Sequence, residues 1–298
     1  MVLILMNLIS MVLFGTQTRY WYTLLPAVIS NLELYPGWSI RLHVSQDVFS
    51  HPISDLLPKL SDALPERFQV YSYSDPYTDQ EPSMWRMRPL WDNGVERFLC
   101  RDVDSVPSTH EIQATRIWLR MPYPIQSIRS YHLHITLLMA GLCGFHNPSL
   151  QGLRDVVPSF EDYVELYKKH STQCPNFMWG CDQEMLKMMF GGVAGSAVLD
   201  FPIGDCPYHA TAVNHVKKEV TYAESLFDLP KGMLDICDEI TKVPWGDFEG
   251  FAGRPHGDFR PYLARMLDLP LETCRAVKQV LQDNPSIKKF YEPDNSIV

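Results

Sequence analysis

Apolar and polar positions along the first hundred residues follow two rhythms, one of period two and one of about 3.6, and the switches between them mark out the elements. Leu8 to Phe14 is an apolar run, interrupted only by Ser10, that stops at Gly15-Thr16-Gln17-Thr18, the pattern of a strand buried on both faces and followed by a polar turn. Trp21, Leu24, Leu25, Val28, Leu32 and Tyr35 then recur at helical spacing as far as Pro36-Gly37. Pro26 lies inside that span and has no amide donor, so it must fall in the first helical turn or kink the helix. Trp38, Ile40, Leu42 and Val44 alternate with Ser39, Arg41, His43 and Ser45, which predicts a second strand. A short helix over 53–63 and a weaker strand through Phe68, Val70 and Ser72 come next. Strand, helix, strand, helix, strand in this order predicts an α/β fold with a mostly parallel, Rossmann-like sheet flanked by helices.

Residues 95–106 read Val-Glu-Arg-Phe-Leu-Cys-Arg-Asp-Val-Asp-Ser-Val. Phe98, Leu99 and Cys100 predict a short buried strand that runs into two acids. If the backbone stays extended, Asp102 and Asp104 share one side, about 6.5–7 Å apart, while Arg101 and Val103 point away. Two carboxylates so placed repel each other unless a positive group joins them. A magnesium or manganese ion carrying a phosphorylated ligand suits such a pair; the plain alternative is a loop of capping or salt-bridged acids beside Arg97 and Arg101. Pro107 stops the strand, Ser108 and Glu111 have capping-box spacing, and Ile112, Thr115, Trp118 and Leu119 then share one helical face. Ligands of open α/β sheets collect at strand ends of this kind.

Further on, Ile125 to Arg129 predicts a strand, and His134 to Gly144 is apolar and rich in small residues. Helices over 160–169 and 182–190 flank a loop with Cys174, Pro175, Trp179 and Gly180, a strand covers 196–201, and 202–215 is irregular. There is no G-x-G-x-x-G after the first strand and no P-loop sequence, which removes the dinucleotide fingerprint and the Walker site. No repeat or linker interrupts the chain, so residues 1–298 predict a single domain.

Composition narrows the function. With 298 residues, 46% of them hydrophobic, one large α/β core is affordable. The net charge of -9 argues against a nucleic-acid binder but not against a nucleotide, whose phosphates a metal masks. Seven scattered cysteines without a C-x-x-C pair, and no Asn-x-Ser/Thr sequon, predict a reduced compartment, the cytoplasm. The apolar start has no basic flank, is broken by Asn7 and Ser10, and is shorter than the roughly 20 residues of a spanning helix. It reads as the first strand, with no integral membrane segment.

Met84-Trp85-Arg86-Met87-Arg88-Pro89-Leu90, followed by Arg101-Asp102-Val103-Asp104-Ser105, resembles a microbial and viral group of GT-A-like nucleotide-diphospho-sugar transferases. In that group a Trp-Arg-Phe-like segment precedes an Arg-Asp-x-Asp-Ser (DXD) motif. The resemblance continues through Trp118, Arg129 with His134, Gly141, Gly144 and Gly180-Cys181-Asp182-Gln183, and thins out after residue 190. It implies a GT-A fold, with a nucleotide-binding half over about 1–106 and an acceptor half over about 107–298 whose carboxyl part is less regular. It also implies a manganese- or magnesium-dependent glycosyltransferase that moves a sugar from a nucleoside-diphosphate-sugar donor to a glycan or other hydroxyl acceptor.

The resemblance assigns Asp102 and Asp104 to the metal, and Arg86, Arg101, Arg129 and His134 to the donor. Asp182 and Gln183 match the Asp-Gln element that lies under the donor sugar in retaining hexosyltransferases, so retention is the expected outcome by analogy; Asp182 would serve equally as a helix cap. Arg88 is a second arginine suited to phosphate; His132, two residues before His134, reads as a packed histidine, and Asp205, His209, His215 and His256 remain open as a third metal ligand. The sequence departs from the group at Ser130-Tyr131, Cys143 and Gly204-Asp205. A catalytically silent nucleotide-sugar-binding domain therefore stays open as an alternative. So does a haloacid-dehalogenase-type phosphatase, whose nucleophile strand also ends in Asp-x-Asp.

Overall fold

A computed structural model describes residues 5–74, 81–129, 138–170, 180–191, 198–202, 214–215, 226–242 and 259–292. Its elements are β1 (Met6–Leu13), α1 (Thr18–Leu34), β2 (Trp38–Ser45), α2 (Leu56–Ala63), β3 (Phe68–Tyr73), β4 (Val95–Arg101), α3 (Thr109–Trp118), β5 (Ile125–Arg129), β6 (Leu142–His146), α4 (Gln151–Val156), α5 (Phe160–His170), α6 (Cys181–Phe190), β7 (Val198–Pro202), β8 (Asn214–His215), α7 (Lys231–Lys242), α8 (Arg260–Leu267), α9 (Glu272–Asp283) and α10 (Pro285–Phe290). The strands pair mostly in parallel and helices flank them. The fold is α/β with a mixed sheet, as the alternation of periods predicts.

The chain divides into two compact units, each built from separate stretches. The first comprises Met1–Val12, Ser74–Arg101 and Gln113–Ser225. Here β1 runs parallel to β4, with Leu8 opposite Phe98 and Ser10 opposite Cys100. Next, β4 pairs antiparallel with β6, and β6 antiparallel with β5. Strand β5 then pairs in parallel with β7, and β7 with β8. Phe98 stacks on Phe145 at 4.9 Å and Phe145 meets Phe190 of α6 at 5.2 Å, which fixes α6 against the sheet. A 3₁₀ segment over Glu81–Trp91 lies against β4, where the Cys100 thiol donates to the Arg86 carbonyl at 3.7 Å.

The second unit comprises Leu13–Tyr73, Asp102–Ile112 and Leu226–Val298. Strands β2 and β3 pair in parallel from Ile40 opposite Phe68 to Ser45 opposite Tyr73, and α1 packs on β2. Pro26 sits in the middle of α1 and not in its first turn. Trp21, Leu24, Leu25, Val28, Ile29 and Leu32 around it are all buried. At about 1.5–3 kcal/mol for each large buried side chain, that stripe outweighs the roughly 3 kcal/mol a helix-interior proline costs.

Three further features depart from the sequence expectation. Helix α2 starts at Leu56, after turns over 51–55. Residues 142–146, read only as the end of a small-residue apolar stretch, form β6. The described residues beyond 225 are largely helical, in α7 to α10. Glu33 of α1 accepts from the Thr273 amide at the start of α9 at 2.8 Å, and the Tyr291 hydroxyl donates to the Trp21 carbonyl at 2.6 Å, so these helices are tied to α1.

Candidate functional site

The acidic motif does not continue the strand. β4 ends at Arg101, and Asp102 to Ser105 form a turn in which the Ser105 amide and hydroxyl donate to the Asp102 carbonyl at 3.3 and 3.1 Å. The extended spacing expected of Asp102 and Asp104 is thus replaced by a turn. Its cause is burial: Val103 and Val106 are 4% and 3% exposed, and turning the backbone inserts both valines while Asp102 and Asp104 stay half-exposed.

Within the same unit the charges of both acids act on Tyr20, at the start of α1. Arg19 Nη2 donates to the Tyr20 hydroxyl at 2.7 Å, and its guanidinium lies 4.6 Å from the ring. Burial, then the Asp104 carboxylate and last the Asp102 carboxylate raise the Tyr20 phenol above its ordinary pKa, against the pull of Arg19. Sequence reasoning missed Arg19 and Tyr20. The signal was available, because they directly follow the Gly15-Thr16-Gln17-Thr18 turn at the end of β1, a usual ligand position in α/β sheets.

Among the described residues no group of three or more His, Cys, Asp or Glu is placed to hold a metal ion. Magnesium and manganese do not require one; one or two carboxylates suffice when phosphate and water oxygens complete the shell. The hard-oxygen pair Asp102 and Asp104 fits a cation that arrives with a diphosphate.

The first unit carries the other predicted residues. Asp182 opens α6 just after Gly180, whose φ of 88° places it in the left-handed region, where glycine avoids a Cβ clash. Its Oδ1 accepts from the Gln183 amide at 2.9 Å, so it caps its own helix. Its Oδ2 lies 3.7 Å from Arg86 Nη2. Arg86 is 7% exposed and its Nε donates to the Ser83 carbonyl at 2.8 Å, so the structure brings Arg86 and Asp182 together as a buried pair. The same unit holds three buried thiols, Cys100, Cys143 and Cys181. Burial, a hydrogen bond that the Cys143 thiol donates to Cys100 and the Cys100 charge push the Cys143 thiol well up, with Arg86 opposing and Asp182 adding to the rise. Burial does the same to Tyr163, with Cys100, Cys143 and Asp182 contributing.

Arg101 closes β4 at 2% exposure, and Arg129 closes β5 at 3%. Arg88 is committed elsewhere: it pairs with Glu161 at 3.2 Å and lies 4.1 Å from the Phe160 ring. His132, His134, Asp205, His209 and His256, with the departures at Ser130-Tyr131 and Gly204, lie outside the described residues. His215 is in β8. No helix among the described residues is long and apolar enough to cross a membrane.

No protein-family model matches the chain, and no curated protein matches its sequence. Among solved structures it is similar to the apo form of glycosyltransferase GlyE from Streptococcus pneumoniae (13% identity, TM-score 0.43), covering 67% of this chain and 45% of that one. The mannosyltransferase PcManGT from Pyrobaculum calidifontis, solved with GDP-Man and Mn2+, shares 11% identity at TM-score 0.43 over 94% of this chain and 75% of that one. The 4-diphosphocytidyl-2C-methyl-D-erythritol synthase of Anaerococcus prevotii shares 11% identity at TM-score 0.38, covering 62% and 84%. The chain spans less than half the length of the pneumococcal enzyme.

Proposed function

We propose that the protein is a GT-A-type glycosyltransferase, one domain in all, that uses manganese or magnesium to move a sugar from a nucleoside diphosphate donor to a hydroxyl acceptor. The observation that carries this reading is the turn after β4, closed by Ser105 on the Asp102 carbonyl, which leaves Asp102 and Asp104 of the Arg-Asp-x-Asp-Ser motif half-exposed beside two buried valines. In the transfer the bond from the sugar's anomeric carbon to the diphosphate breaks, a new bond to the acceptor oxygen forms, and the acceptor hydroxyl loses its proton. A divalent ion bound with the donor neutralises charge on the departing diphosphate. Asp102 and Asp104 would hold it, and Arg101 and Arg129 are assigned to the donor on the resemblance alone.

Asp182, fixed by Arg86 and by its own helix cap, is the acid set against the donor sugar, with Gln183 beside it. The Asp-Gln element leans towards retention of configuration and a hexosyl donor. His134 remains assigned to the donor on the resemblance alone, and the scattered reduced cysteines support a cytoplasmic setting.

Titration calorimetry with UDP, GDP, CDP and ADP, each with and without manganese, tests the reading. Binding of at least one nucleotide that requires the metal and disappears in Asp104→Asn is the expected result. Metal-independent binding, or full metal-dependent binding by Asp104→Asn, refutes it.

A further inference from the structure

Helix α3 starts where the acidic turn ends, and its first turn is held from two sides. Its own sequence supplies the capping box: the Glu111 amide donates to Ser108 Oγ at 3.3 Å, and Glu111 Oε2 accepts from the Ser108 amide at 3.0 Å. That reciprocal pair is enough to start a helix. A second grip comes from α7, where Asp238 Oδ1 accepts from the Thr109 amide at 2.8 Å and Oδ2 from the Thr109 hydroxyl at 2.6 Å. Both oxygens of one carboxylate thus hold one residue that lies 129 positions away in the chain.

Hydrogen bonds to an ionised acceptor are about twice as strong as neutral ones. A carboxylate at a helix start also meets the positive end of the helix dipole. Asp238 itself is on firm ground, since Met233, Ile236, Cys237 and Ile240 of α7 are buried and α7 packs on α1 and α8.

The link from Thr109 back to the acids is short and stiff. The turn closes where Ser105 bonds the Asp102 carbonyl, and only Val106, Pro107 and Ser108 intervene before Thr109. Val106 is buried and Pro107 has a fixed φ. The geometry points to Asp238 as a positioning residue for the metal-binding turn: by clamping Thr109 it sets where Asp102 and Asp104 stand. This rests on the metal role proposed above for the two acids. It gives the carboxyl segment, where the family resemblance has faded, a part in the site.

The test is manganese binding, followed by electron paramagnetic resonance in the presence of whichever of UDP or GDP binds the wild-type protein. Asp238→Ala lowers apparent manganese affinity about tenfold, as loss of a group that orients a ligand does. Thr109→Val, which keeps the amide bond and loses the hydroxyl, lowers it about threefold, and Thr109→Ser restores it. Hydrogen exchange quickens at amides 103–106 in Asp238→Ala while the buried face of α7 stays protected.

Wild-type affinity in folded Asp238→Ala overturns the assignment. If that variant does not fold, equal affinities in Thr109→Val and Thr109→Ser overturn it. Asp104→Asn separates the two readings. If it abolishes manganese binding while Asp238→Ala does not weaken it, only the positioning role falls; if it changes nothing, the metal role of the turn falls first.

Discussion

Replacing Arg86 tests the link between the Trp-Arg segment and α6. At 3.7 Å and an effective dielectric of about 20, the gross attraction between Arg86 and Asp182 is roughly 4.5 kcal/mol. Both side chains are largely withdrawn from water, 9% and 15% exposed, so desolvation offsets much of that attraction. Breaking the pair from one side costs more than removing both partners, because the remaining charge loses its counter-ion. Arg86→Met removes the cation beside the Asp182 carboxylate, which keeps the Gln183 amide, and is expected to destabilise by about 2–3 kcal/mol. Asp182→Leu alone removes the anion beside the guanidinium at a similar cost. The double variant replaces an ion pair by two apolar side chains and recovers most of the loss. Urea unfolding of wild type, both single variants and the double variant, followed by tryptophan fluorescence, therefore gives a coupling energy of at least about 2–3 kcal/mol, because the double variant loses less than either single one. Additivity within about 0.5 kcal/mol would show that the two residues do not interact, and would remove Arg86 as the anchor of Asp182.

Two further outcomes follow from the packing. A Cβ at Gly144 would lie 2.8 Å from Leu99 Cδ2 and 2.9 Å from Gln126 Cγ, so Gly144→Ala overpacks the sheet by about 1–3 kcal/mol and lowers the thermal midpoint; an unchanged midpoint contradicts the close approach of β6. His51 stacks on Trp21 at 4.6 Å, and burial lowers its pKa below 6.5. The His146 pKa is lowered too, first by burial and then by Arg97. Both native sites favour neutral imidazole, so their contribution is complete above about pH 6.5 and is lost as pH falls through the lower folded values. Thermal stability is expected to weaken from about pH 7.5 to about pH 5.5. His51→Phe keeps the stack and should flatten that slope; an unaltered slope rules His51 out as a source.

The strands that read clearly from the sequence are those whose side-chain pattern carries the information locally. β2 alternates because successive side chains face opposite ways, and β1 is mostly apolar because both its faces are covered from Leu8 onward. β6 was hidden for a physical reason: Leu-Cys-Gly-Phe-His has a glycine at its centre, required by the close approach of Leu99 and Gln126, and glycine ordinarily argues against a strand. The carboxyl helices were legible in principle. Cys274, Val277, Val280 and Leu281 are buried along one face of α9, but they follow a long Gly/Pro-rich stretch that breaks the rhythm.

Local spacing failed at the acidic motif because an Asp-x-Asp pair has the same sequence whether its backbone is extended or turned. What decides between the two is where Val103 and Val106 find a core, and that is a property of the folded chain. The same holds for the contacts that give the acids their setting. Arg19–Tyr20 lies more than eighty residues before the motif and Asp238 well over a hundred after it, so no window of sequence contains them together. The capping box Ser108–Glu111, which is closed within one window, was predicted from spacing and is present with both bonds made. The Asp238 clamp on the very next residue left no trace in the local pattern. Site residues whose partners lie within a helical turn are thus readable from sequence, whereas those positioned by another element must be found in the fold. For this protein that second class includes Asp238, which bonds Thr109 beyond the acidic turn, and Arg86, which pairs with Asp182.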